Sequence, residues 1–265
     1  MADFDPRVRS ARTGFATGGQ VGARGDASID QGLRSYMLSV YNTMGLGLAV
    51  SGVVALLVNM LAVTTDPNQA AAVLREGQYL TQFGLTLYGT PLRWVVMFAP
   101  LAFIFFGFRP QTMSLSTLTT MFFVFAGLMG LSLSSILLIY TSGSVVQVFF
   151  ITAATFGALS LWGYTTKRDL TGWASFLFMG VIGLILASIV NIFLGSGALQ
   201  FAISIIGVLV FAGLTAYDTQ KIKEMYYVGG GEEAIGKMAV MGALSLYLDF
   251  VNMFQFLLML LGNRE

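Results

Sequence analysis

The chain has 265 residues, of which 56% are hydrophobic and only 10% are charged. Soluble domains are about a quarter charged, so this composition excludes an ordinary soluble protein, and the net charge of +1 gives no basic surface for nucleic acid. Histidine and cysteine are both absent, which excludes disulfides, the usual zinc sites, haem bound through histidine, and catalytic triads built on either residue.

The first 35 residues are polar and rich in glycine, arginine and aspartate, with no apolar periodicity. We predict a disordered tail over residues 1–35. We expect no cleaved signal peptide, because the first apolar run begins too far from the basic N-terminus. Residues 36–265 are predicted to form one transmembrane domain.

Seven apolar runs follow the tail, joined mostly by short polar loops. A helix needs about 20 apolar residues to cross a hydrocarbon layer of roughly 30 Å. The runs are Met37–Val63, Pro91–Phe108, Leu115–Tyr140, Val145–Tyr164, Trp173–Leu194, Leu199–Ile222 and Met238–Leu261. The sequence therefore predicts an all-α integral membrane protein, with seven transmembrane helices in a bundle.

Lysine and arginine are distributed unevenly between the loops. With the N-terminus placed inside, 11 of the 14 lie on inner segments, namely Arg7, Arg9, Arg12, Arg24, Arg34, Arg109, Lys167, Arg168, Lys221, Lys223 and Lys237. This excess agrees with the positive-inside rule and predicts a cytoplasmic N-terminus. Seven spans would then place the C-terminus outside, unless the last run is re-entrant.

Two acids interrupt the apolar pattern. Asp218 lies near the inner end of the sixth run, and Asp249 lies within the seventh. A charge at bilayer depth costs about 2.5 kcal/mol or more, so such a carboxyl group should be protonated, paired or in contact with water. If the last two helices are antiparallel neighbours, the two acids could approach each other and share a proton.

A polar stripe supports an inward orientation for the second acid. Ser245, Asp249 and Asn252 are spaced to lie on one helical face. Simpler interpretations stay open: Asp218 could form a surface pair with Lys221, and Asp249 could make only a structural hydrogen bond. Arg109, at the end of the second run, could be a boundary anchor.

Three motifs resemble the Bax inhibitor-1 family, in its bacterial branch: ALSLYLDFVNMF, YDTQKIK, and a second run ending in FGFR. The resemblance covers the chain from about Tyr36. It implies seven transmembrane helices with the C-terminal helix central, and a location in the bacterial inner membrane. Several family members behave as calcium-leak channels controlled by pH.

The resemblance also implies roles for individual residues. The paired acids of the family match Asp218 and Asp249, which would sense pH, line the ion path and offer ligands to Ca²⁺. The arginine that latches to the first acid matches Arg109. Some relatives carry a further acid in the second helix, where this chain has Phe98.

The leading hypothesis is a pH-sensitive calcium or cation leak channel, gated by the aspartates and the arginine, with lipid, Ca²⁺ and protons as partners and no cofactor. One alternative is a proton-coupled secondary transporter, although no internal repeat supports it. Another is an interaction protein that modulates a membrane-bound protease. We expect no enzyme: intramembrane aspartyl proteases place their second acid in GxGD, whereas these acids lie in AYDT and YLDF.

Overall fold

The computed structural model describes residues 18–228 and 230–264, and the side chains of residues 31–226 and 230–264. The helices are α1 Gly18–Ala62, α2 Gln82–Gly89, α3 Leu92–Gly107, α4 Leu115–Leu133, α5 Ile136–Ile139, α6 Ser142–Thr165, α7 Ala174–Leu194, α8 Gly197–Val228 and α9 Glu232–Leu261. Short 3₁₀ turns lie at Pro67–Gln69 and Thr171–Trp173. The predicted all-α membrane architecture is confirmed, apart from one small sheet.

The predicted tail is only partly within the described residues. Helix α1 begins at Gly18 and continues through residue 35, where the tail was expected to end. Residues 1–17 lie outside the described residues, so the division into tail and domain stays a prediction.

Six helical segments are long and apolar enough to cross a membrane. They are Gln31–Ala62, Leu115–Ile139, Ser142–Thr165, Thr171–Leu194, Gly197–Tyr226 and Glu232–Leu261. The second apolar run forms α3, which has only 16 residues and joins α2 at a bend of 67°. The bend falls at Thr90–Pro91, where proline has no backbone N–H to donate into a continuous helix.

The loop expected between the first two runs contains a three-stranded antiparallel sheet. Its strands are β1 Val63–Thr64, β2 Ala72–Arg75 and β3 Gln78–Leu80, in the order β1-β3-β2. Gly77 makes the β2–β3 turn with a φ of +74°, a conformation that glycine adopts without steric cost. The sheet lies at the end of α1 that the positive-inside rule places outside.

The C-terminus is tied to the start of α6. The Thr141 N–H donates to the Asn263 carbonyl (3.1 Å), and the Asn263 N–H donates to Ser144 Oγ (2.9 Å). The guanidinium of Arg264 lies 5.7 Å from the ring centre of Tyr140. Because α9 is an unbroken helix of 30 residues, about 45 Å long, it can cross the bilayer fully.

Helix α9 is the most buried of the six candidate spans. Half of its most apolar window is buried, against 17–33% for the others. It packs against α1, α4, α6 and α8. At its middle, the ring of Tyr247 is fully buried and meets Phe122 and Phe125 edge-on, with both centroid distances 5.8 Å.

Glycines set the closest helix crossings. A Cβ atom at Gly130 would meet the Ser51 backbone where α4 crosses α1, and one at Gly163 would meet the Ala216 backbone where α6 crosses α8. Small residues at such crossings let helix backbones approach, as is usual within membranes.

Two contacts fix the register of α8 against α9. The backbone of Gly207 faces the ring of Phe256, and the backbone of Gly242 faces the side chain of Ile222. From the first contact to the second, the residue number rises by 15 on α8, from 207 to 222, and falls by 14 on α9, from 256 to 242. The two helices are therefore antiparallel neighbours between these two contacts.

Candidate functional site: an aspartate pair between the last two helices

The antiparallel register brings the two acids together. It places Asp218 opposite Ser245, and Asp249 opposite Leu214, so the acids lie about one helical turn apart along the interface. The proximity of two acids on neighbouring helices therefore follows from backbone packing alone.

Asp249 lies inside the bundle, where its side chain is only 4% exposed. Two buried side-chain oxygens among the described residues have no hydrogen-bond partner, and Asp249 Oδ2 is one of them, the other being Tyr36 Oη. A buried carboxyl oxygen without a partner lowers stability, because it loses its hydrogen bonds to water and gains none from the protein. Asp249 Oδ2 therefore makes no stabilising hydrogen bond within the described part of the chain.

Asp218 lies nearer the end of the bundle that the positive-inside rule places inside, and it is only half-buried. Lys221, one turn further along α8, attracts its charge, but the two do not form an ion pair in the described structure. The ammonium of Lys221 instead lies over the ring of Tyr217, 5.8 Å from its centre. A close surface pair of Asp218 with Lys221 is thus absent from this arrangement.

The rest of the polar stripe is bonded locally. The Asn252 amide donates to the Leu248 carbonyl (2.8 Å) on its own helix, and Ser245 is half-buried opposite Asp218. These residues continue a polar face along α9 on both sides of Asp249.

Arg109, at the end of the second apolar run, is the third predicted site residue. It is exposed, in the segment that follows α3, where Thr112 N–H donates to its carbonyl (3.2 Å). Within the described part of the chain, no ion pair joins it to Asp218 or Asp249. Phe98, in place of the acid that some relatives carry, is exposed on α3 and stacks on Trp94.

Comparison with known proteins decides the family. The family described as "Inhibitor of apoptosis-promoting Bax1" matches residues 33–265. The chain belongs to the Bax inhibitor-1 family. An uncharacterized protein of Caulobacter vibrioides is 50% identical over 91% of this chain and 94% of its own length. One of Rickettsia prowazekii is 47% identical, over 90% and 93%.

A third relative bears on location. The inner membrane protein YbhL of Escherichia coli is 41% identical over 88% of this chain and 94% of its own length. The family resemblance drawn from the three motifs is confirmed. Together with the spans, this relative confirms a multi-pass protein of the bacterial inner membrane.

A chain of hydroxyl groups in this Bax inhibitor-1 family member leads away from the acid pair. Thr219 donates its proton to the Thr215 carbonyl (2.7 Å), so Ser160 must donate to Thr219 (2.9 Å) and Tyr41 to Ser160 (2.6 Å). Thr219 directly follows Asp218. The chain thus links α1 and α6 to the helix that carries the first acid.

A second group of buried hydroxyls includes Tyr247, two residues before Asp249 on α9. Two carbonyls, of Ala126 (2.7 Å) and Gly47 (3.0 Å), share the single proton of Ser51 Oγ. The Tyr247 hydroxyl therefore donates to Ser51 Oγ (2.7 Å). The sequence did not predict either set of hydroxyl contacts. Their members lie 59 to 196 positions apart, and hydroxyl residues are common in apolar runs.

The next residue of the YDTQKIK motif holds the inner loop between α6 and α7. Buried Gln220 accepts from the Leu170 N–H (2.8 Å) and donates to the Arg168 carbonyl (2.8 Å). In the same loop, hydrogen bonds from the hydroxyl and N–H of Thr171 lower the pKa of Asp169. Gln220 therefore joins α8, which carries Asp218, to the loop between α6 and α7.

We expect Gln220→Ala to lower the free energy of unfolding by about 1–3 kcal/mol, because it leaves the buried N–H of Leu170 without a partner and removes the hydrogen bond to the Arg168 carbonyl. Denaturation in detergent would measure it. Gln111→Ala, an exposed loop glutamine, is the control and should change stability by less than about 0.5 kcal/mol. Equal effects of the two substitutions would contradict a loop-holding role for Gln220.

Proposed function

We propose that this protein is a pH-sensitive cation leak channel of the inner membrane, with Ca²⁺ as the permeant ion. The observation that supports it is Asp249, a buried carboxyl group with an unpartnered oxygen, beside a second acid on the neighbouring helix. Ionisable groups inside membrane bundles mark ion or proton paths more often than structural sites. Calcium prefers oxygen ligands, which both acids offer.

The architecture that accompanies this function has seven spans. In it, α2 and α3 form one broken span at the bend of 67°, and α9 is the central helix. Its high burial and its contacts with four other helices support this placement. A carboxyl group on the central helix is shielded from lipid on all sides.

The acids would bind a passing ion weakly. Calcium takes six to eight oxygen ligands, and the described residues contain no cluster of three or more acidic side chains. Two carboxylates would replace part of the hydration shell and leave the rest to water. Such partial coordination favours the permeation of Ca²⁺ over its stable binding.

Protonation of the acids would control the path. When both are charged, Arg109 can move from its exposed position to pair with Asp218 and close the inner mouth. At lower pH a neutral carboxyl no longer holds the guanidinium, so the mouth opens. Arg109 lies outside any helix, and its side chain is not held by an ion pair to either acid in the described structure.

The test is Ca²⁺ flux into liposomes that carry the purified protein, across about pH 5 to 8. We expect flux to rise as the pH falls, and we expect Asp218→Asn to flatten this dependence. Glu224→Gln, an exposed acid on the same helix, is the matched control and should keep the pH profile. An absence of flux at every pH would reject the channel, and an unchanged profile in Asp218→Asn would reject the acid gate.

A further inference from the structure

A groove of about 630 Å³ opens between α1 and α6. Its residues lie at the beginning of the α1 span and the end of the α6 span, so both walls belong to the inner half of the membrane. The lining includes Leu33, Met37 and Tyr41 from α1, and Phe156, Gly157 and Leu161 from α6.

The groove is apolar along its length and is open at its face. The ring of Phe156 and the side chains of Leu33 and Met37 are buried in its wall, while Gly157 is exposed and a Cβ atom there would meet nothing within 4 Å. In a membrane protein, an open apolar groove at this depth is in contact with acyl chains. Its shape and chemistry suit a hydrocarbon chain.

The inner mouth of the groove is positively charged. Arg34 is part of its lining and is exposed. Lys223 of α8 donates to the carbonyl of Tyr164 (2.9 Å), with its ammonium 4.9 Å from the centre of the Tyr164 ring. Since Tyr164 also lines the groove, Lys223 lies at the same end of the groove as Arg34, at the level where headgroups lie.

We propose that this groove binds one anionic phospholipid of the inner leaflet, with an acyl chain between α1 and α6 and the phosphate at Arg34 and Lys223. Basic pockets between transmembrane helices on the cytoplasmic side suit anionic headgroups, and each cation near the surface contributes about fivefold in affinity. The site is separate from the aspartate pair and does not depend on ion conduction.

The experiment uses the full chain in detergent, mixed with phosphatidylglycerol or with phosphatidylcholine of the same acyl chains. Native mass spectrometry counts the lipids that each chain retains. We expect the protein to retain phosphatidylglycerol at least about fivefold better than phosphatidylcholine, and Arg34→Gln to weaken phosphatidylglycerol about fivefold.

Two glycine variants test the location. Gly157→Phe fills the groove and should remove most of the retention of either lipid. Gly183→Phe makes the same change at an exposed glycine on α7, where a Cβ atom also meets nothing within 4 Å, and should behave as the parent protein. Equal retention of the two lipids by the parent protein, or unchanged retention in Gly157→Phe, would overturn the proposal. If Gly157→Phe does not fold, Arg34→Gln decides alone.

Discussion

Replacing Asp249 with asparagine should stabilise the bundle and at the same time abolish the pH dependence of its cation leak. The carboxyl group is buried, one of its oxygens has no hydrogen-bond partner, and a second acid, Asp218, lies about one helical turn away on α8. Two neighbouring carboxylates repel each other when both are charged. Removing that charge relieves an unfavourable interaction. We expect the free energy of unfolding to rise by about 1–3 kcal/mol.

The prediction is selective because it combines a gain in stability with a loss of pH-dependent flux. Unfolding in detergent measures the first, and Ca²⁺ flux into liposomes measures the second. Glu224→Gln, which removes an exposed acid, should change stability by less than about 0.5 kcal/mol. If Asp249→Asn lowers stability and leaves the pH profile intact, the residue has a structural role and the proposed path is wrong.

Gly163→Val should destabilise the protein by about 3 kcal/mol or more, because its side chain would enter the crossing of α6 and α8. A Cβ atom at Gly163 meets the carbonyl and Cα of Ala216. These are backbone atoms of a helix, so they cannot give way as a flexible side chain would. The helices must separate, which also pulls Ser160 away from Thr219.

The matched control is Gly157→Val on the same helix. A Cβ atom at Gly157 meets no atom within 4 Å, so the change in stability should be below about 1 kcal/mol. Both variants are measured by thermal unfolding in the same detergent. Similar losses at the two positions would show that valine itself disturbs α6, and that the close crossing does not limit stability.

Hydropathy was sufficient to predict most of the fold. The apolar runs correspond to the observed helices because a span needs length and composition, which a sequence carries directly. Asp249 was identifiable because it is the one charge in its run, and Asp218 because it precedes the charged inner end of α8.

Other features depend on contacts between distant residues and were not predictable. The pairing of Tyr247 with Ser51 joins positions 196 apart, and nothing near either residue indicates the other. The sheet at β1–β3 was expected to be a loop, because strands of two to four residues lack a readable alternation. The start of α1 at Gly18 was not expected, since glycine and polar residues disfavour helix.

The pairing of Arg109 with Asp218 could not be predicted from the sequence for a different reason. The sequence places this residue at the inner end of the second run, which is where the structure has it. Whether a long side chain pairs with an acid on another helix depends on conformation and on protonation. A sequence carries neither, so the latch stays a prediction.

Helix α8 presents three successive residues to three different neighbours. Asp218 lies opposite Ser245 of α9, Thr219 contacts Ser160 of α6, and Gln220 holds the loop before α7. Successive residues point about 100° apart around a helix. Rotation of α8 about its own axis would therefore move all three side chains away from their partners. If α8 turns to part the acids, it must also break the Thr219 and Gln220 hydrogen bonds. Rotation of α8 would therefore change the acid pair, the hydroxyl chain and the inner loop at the same time.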